Sequence, residues 1–168
     1  MVNNRAEKMY DYHVWANQQL IQHLKQLPDK VYTAHIESVF SSISEVLIHL
    51  YATDIVWLET MKGNSFHDTV REVERRKSEL TAVSIDKLEM RYDELSQEFQ
   101  HFFTEQKDLE QILITEHPHY GRMEFILADL VHHIVNHGTY HRGNVTAMLR
   151  QQGEVGVPTD YVFFLIRK

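Results

Sequence analysis

The chain has 168 residues, 43% of them hydrophobic, and 24 Asp and Glu against 17 Lys and Arg give a formal net charge of −7. That length and apolar content suit a single domain over residues 1–168 with its own core. The acidic balance excludes the basic field that nucleic acid or an anionic membrane attracts. With no apolar run near the roughly 20 residues of a span and no apolar signal core at the start, the expectation is a cytoplasmic protein.

In chain order, the first helix is expected over about Asn4 to Gln26. Tyr10, Val14, Ile21 and Leu24 share one face, and Leu27-Pro28-Asp29 ends it. Trp15 lies beside that face and reads as core. Residues 29–41 carry little periodicity and read as a connector.

A second helix starts at Ser42, where Ser42 and Glu45 have capping-box spacing, and stops before Gly63. Its apolar positions cover most of the circumference, which predicts deep burial. Two polar residues interrupt them. His49 sits on one flank, and Asp54 lies near the centre of the stripe through Ile43, Leu47 and Met61. A buried aspartate needs hydrogen bonds or a cation, and an Arg, Lys or Tyr from another helix is the expected partner.

Residues 64–83, with mixed charge from Arg71 to Glu79, read as a solvated loop or a short helix. The third long helix, about Ile85 to Thr104, carries Leu88, Tyr92, Leu95, Phe99 and Phe102 at three- and four-residue steps and reads as scaffold. Residues 107–123 read as an extended crossover ending in a turn at His117–Gly121. The fourth long helix is expected over about Glu124 to Gln152, with Gly153 ending it. The apolar tail around Tyr161–Ile166 should fold back or bury in a dimer contact. The sum is an all-α chain, a four-helix bundle with a long crossover and a C-terminal tail.

The last long helix carries the chemistry. Leu127, Leu130, Ile134, His137, His141, Val145 and Met148 follow one another at steps of three or four, so two histidines stand where the stripe calls for Leu or Val. Four residues apart, their Cβ atoms are roughly 6 Å from each other. Both rings can then reach one ion at about 2.0–2.1 Å per nitrogen. His49 supplies a third imidazole from another buried helix. Gly138 and Gly143 inside the helix, each costing about 1 kcal/mol relative to Ala, suggest close approach of a backbone or a ligand. His133 is one turn before His137 but off the stripe centre, and reads as a pocket residue. His13, His23, His35, His67, His101, His117 and His119 look scattered and read as ordinary surface or packed histidines.

The chain has no cysteine, so any metal is held by nitrogen and oxygen and any thiol arrives with the substrate. The His-x-x-x-His pair is not the zinc-protease one, because Gly138 stands where that motif places its general-base Glu. Imidazole donors suit Zn, Ni, Cu or Fe, and zinc or nickel is the expected divalent ion. Its affinity should fall on acidification towards pH of about 6.5, as protons compete for the ring nitrogens.

Several stretches together resemble the DinB family of metal-dependent bundle proteins. They are Trp15-Ala16-Asn17, the helix with Leu47-Ile48-His49-Leu50 and Trp57-Leu58, the block His133 to Gly143, and then Gly153, Pro158 and Asp160-Tyr161. The resemblance covers essentially the whole chain. It implies an up-and-down four-helix bundle, often dimeric, with a divalent metal on three histidines, which correspond to His49, His137 and His141. Asn144 departs from the Gln more frequent in relatives, a change that touches a pocket hydrogen bond and not a ligand. The wider superfamily includes transferases that use low-molecular-weight thiols such as bacillithiol.

Two readings follow. One is a transferase that activates a small thiol on the three-histidine ion, with Asp54 and His133 as candidate bases. The other is a non-catalytic, metal-tied dimeric bundle with a stress-linked binding role, which a fourth protein ligand would favour. A metal-dependent hydrolase is a third option that lacks an identifiable base.

Overall fold

The computed structural model describes residues 5–80 and 84–167. Four long helices carry the core: α1 (Arg5–Leu24), α3 (Ile43–Met61), α5 (Ile85–Glu105) and α6 (Leu127–Gln151). Helix α6 packs against both α1 and α3, and α5 closes against the same two. Three shorter helices, α2 (Asp29–Thr33), α4 (Phe66–Ser78) and α7 (Tyr161–Ile166), and one hairpin of β1 (Ile112–His117) and β2 (Gly121–Ile126) complete the fold.

Helix α3 starts as its sequence demands. The Ser42 hydroxyl accepts the Glu45 backbone N–H at 3.2 Å, and the Glu45 carboxylate accepts the Ser41 N–H at 3.2 Å. Two of the exposed first-turn donors are thereby satisfied. Ile43, Val46, Leu47, Leu50, Ile55 and Leu58 are fully buried, which makes α3 the central helix. On α5 the expected seam holds, with Leu88, Tyr92, Leu95, Phe99 and Phe102 buried. The Tyr92 hydroxyl donates to the Leu47 carbonyl at 2.8 Å, so the one polar atom of that seam is paired.

Two expectations need correction, and one alternative is decided. Within residues 64–83 the short-helix alternative holds: positions 66–78 form a regular helix of 13 residues, α4, while 81–83 lie outside the described residues. Its start is fixed by Ser65, whose hydroxyl accepts the Asp68 N–H. It is tied to α5 by Arg76, which reaches Glu98 at 2.7 Å. The crossover is a hairpin, antiparallel from Ile112 opposite Ile126 to His117 opposite Gly121. The chain is therefore predominantly α and not all-α. That strand also takes the residues expected to begin the last helix, which starts at Leu127 and not Glu124. The physical reason is a period of two, since Met123 and Phe125 turn inward while Arg122 and Glu124 face water. Gly121 at φ +69° makes the turn that a side chain would strain.

The tail folds back. Phe164 of α7 is buried against Tyr12, Ala16 and Val135, and the Tyr12 hydroxyl donates to the Thr159 carbonyl at 2.8 Å. Trp15 packs on Phe164, so its reading as a packing residue holds. No described helix is long and apolar enough to cross a membrane.

Candidate metal centre

Helices α3 and α6 cross so that one ring from the first meets two from the second. The Nε2 atoms of His49 and His137 are 3.2 Å apart, and those of His141 and His137 are 3.1 Å apart. Nitrogens around a tetrahedral ion at about 2.0–2.1 Å are spaced by roughly 3.3 Å. Two of the cluster's three spacings already match, and all three ligand atoms lie within 4.8 Å of one another.

The donor chemistry favours an ion over mutual hydrogen bonding. Each neutral imidazole has one N–H and one lone pair, so the His137 Nε2 can give or accept one good bond, not serve both neighbours. Burial pushes His137 down to about 4, with His141 and His49 adding to the effect, and burial lowers His49 and His141 as well. All three are neutral at pH 7, the form that coordinates. Among the described residues these are the one group of three His, Asp or Glu side chains that could hold an ion, and no fourth ligand joins them.

The surroundings orient the rings. Phe40, from the connector before α3, packs on His49 and His141 at ring distances of 5.0 and 5.5 Å. The Asn144 amide lies 3.3 Å from the His141 Nδ1. It is the amide nitrogen that faces Nδ1; turning the amide over brings its oxygen there, to accept the Nδ1 proton and leave the Nε2 lone pair facing the cluster, the arrangement coordination by Nε2 requires. The contact is the pocket hydrogen bond that its departure from Gln had suggested. His49 and His137 are half-buried and His141 is buried, so the cluster sits at an open edge of the core.

His133 is not part of the cluster. It is exposed, stacks on His137 at 6.1 Å, and meets the edge of Trp57 at 4.7 Å. Asp54 has a different partner from those expected. Its Oδ2 is 2.9 Å from the His13 Nε2, and both side chains are buried. Arg142 donates to the Asn17 Oδ1 at 2.8 Å and approaches the His13 Nδ1 at 3.4 Å. With the guanidinium facing Nδ1, Nε2 is left to donate to the Asp54 Oδ2, and the Asn17 amide nitrogen lies 3.0 Å from the same Nε2. His13 thus belongs to a sealed polar quartet, where the sequence suggested an ordinary histidine. The signal for it was available, since Tyr10, His13, Asn17 and Leu20 follow one another at helical steps. The sealed carboxylate of Asp54 is no candidate base.

Gly138 is explained by this quartet. A Cβ built there would lie 2.4 Å from the His13 ring, so α1 and α6 close only because the side chain is missing. At Gly143 a Cβ would meet nothing within 4 Å, and the close approach expected there is absent.

A largely helical fold with three imidazoles from two crossing helices defines the class, a helical protein with a site able to bind a metal ion. The chain belongs to the DinB family, whose sequence model matches residues 1–167. It is also 42% identical over 160 residues to the protein DinB of Bacillus subtilis (strain 168), covering 95% of this chain and 93% of that one.

Proposed function

We propose that the chain is a divalent-metal-dependent transferase on an up-and-down four-helix bundle. His49, His137 and His141 hold the ion, zinc or nickel, and the substrates are a low-molecular-weight thiol and an electrophile. The observation that carries this reading is the convergence of three Nε2 atoms with no fourth protein ligand among the described residues, the arrangement of an open site. A bound divalent ion would stabilise a thiolate near neutral pH.

The chain's own residues do the rest. Phe40 and Asn144 fix the ring planes, and His133 beside the cluster is the one exposed imidazole placed to take the thiol proton. The sulfur then forms a bond to the electrophilic carbon, and the leaving group departs with its electron pair. Asp54 is sealed, and among the described residues no carboxylate joins the three-histidine group. The same proposal includes a cytoplasmic location and a homodimer, in which a second copy would cover the exposed Val162, Leu165 and Ile166 of α7.

The test is turnover of a small thiol with a model electrophile, with and without chelator. The expected result is loss of rate on chelation and recovery on adding zinc or nickel. A rate indifferent to chelation overturns the reading.

A further inference from the structure

A second cavity lies under the hairpin, between α3, α4 and β2, with a volume of about 340 Å³. That is at the small end of the roughly 300–1,000 Å³ usual for small-molecule sites. Its walls are the side chains of Val56, Trp57, Phe66, Met123 and Phe125. Nothing in the fold requires it to be open, since a hairpin with an alternating inner face could seat directly on α3.

Two independent features point to a ligand. Thr69 lines the cavity and is buried, yet its hydroxyl has no hydrogen-bond partner among the described residues. A buried hydroxyl left without a partner is costly, and a ligand that supplies one removes that cost. The second feature is continuity. Trp57 forms the cavity wall and also meets His133 edge-on, and His133 stacks on His137. The cavity is therefore joined to the three-histidine cluster by two ring contacts.

We propose that this cavity holds the apolar body of a neutral small-molecule substrate, whose reactive end extends past His133 to the three-histidine cluster. Aromatic and aliphatic walls select an uncharged aromatic or branched aliphatic group. Glu116 at the rim selects against an anion. The inference rests on the proposed function for the reactive end alone; occupancy of the cavity does not depend on metal.

The test uses the full chain and the uncharged probe N-phenyl-1-naphthylamine. With 13C-methyl-labelled methionine, the Met123 methyl should shift saturably on titration while the buried Met148 stays in place. Probe fluorescence should show one site, weakened at least tenfold by Met123→Trp, which fills the cavity. The same affinity should persist in chelator and in His137→Ala. An unmoved Met123 methyl, or a probe that binds Met123→Trp as well as the natural chain, overturns the proposal. A natural chain that binds the probe but takes up no divalent ion would remove the proposed function and leave the cavity standing. Probe binding that fails while metal binding survives would do the reverse.

Discussion

Helices α3 and α6 take part in two polar clusters, one of them shared with α1, and the two differ in kind. In the quartet of His13, Asn17, Asp54 and Arg142, unlike groups pair with one another and water is shut out. In the trio of His49, His137 and His141, three like groups point the same kind of atom at one spot. The first arrangement pairs most of its polar atoms within itself, and the Asp54 Oδ1 and the Arg142 Nε stay unpaired. The second has the form of a site that an ion from outside could complete. Buried polar groups that complete one another build structure, and buried polar groups that converge on a point make a site.

The contrast is broken most sharply by substitution. His137→Ala should abolish metal binding, since it removes the ring between the other two, while leaving the fold intact by circular dichroism. His133→Ala should retain most of the binding, measured by titration with zinc. Asp54→Ala should do the opposite. It leaves Arg142 and His13 buried without their anion and should cost about 3–5 kcal/mol in urea unfolding. Glu72→Ala, which breaks exposed pairs with Arg75 and half-exposed ones with Arg76 on α4, should cost about 1 kcal/mol or less.

The two glycines of α6 sharpen the comparison. Gly138→Ala drives a methyl into the His13 ring and should destabilise by about 1–3 kcal/mol. Gly143→Ala meets open space and should stabilise by up to about 1 kcal/mol through helix propensity. Paired thermal melts of the metal-free variants separate the signs.

The comparison also predicts a pH dependence. Burial holds His137 at about 4, against 6.5 for a free histidine. Between those values the unfolded chain binds more protons than the folded one. The stability contributed by neutral His137 is then complete above about pH 6.5 and declines as the solution is acidified through pH 4. Urea midpoints of the metal-free chain should fall over that window, and less steeply in His137→Phe. Proton competition for the ion should likewise set in below 6.5, lower than free imidazole implies.

The sequence made the trio legible because its members break an apolar stripe at helical steps. The start of α3 was legible in Ser42 and Glu45, and the seam of α5 in Leu88 to Phe102. The hairpin was obscured because Ile112-Leu113-Ile114 is apolar without alternation, and only Met123 and Phe125 reveal the period of two. Helix α4 was obscured by its charges, which hide the narrow stripe of Thr69 and Val73. The quartet was half visible. Asp54 announced a missing partner, but which of twelve histidines would meet it depends on how α1 docks, and no local pattern carries that.

The most direct test of the three-imidazole account is elemental analysis of the purified chain paired with X-ray absorption at the edge of the bound metal. The expected result is one ion per chain with a first shell of three imidazole nitrogens, reduced to none by His49→Ala. A natural chain that takes up no divalent ion at saturation, or a His49→Ala variant that binds it with an unchanged shell, would contradict the account.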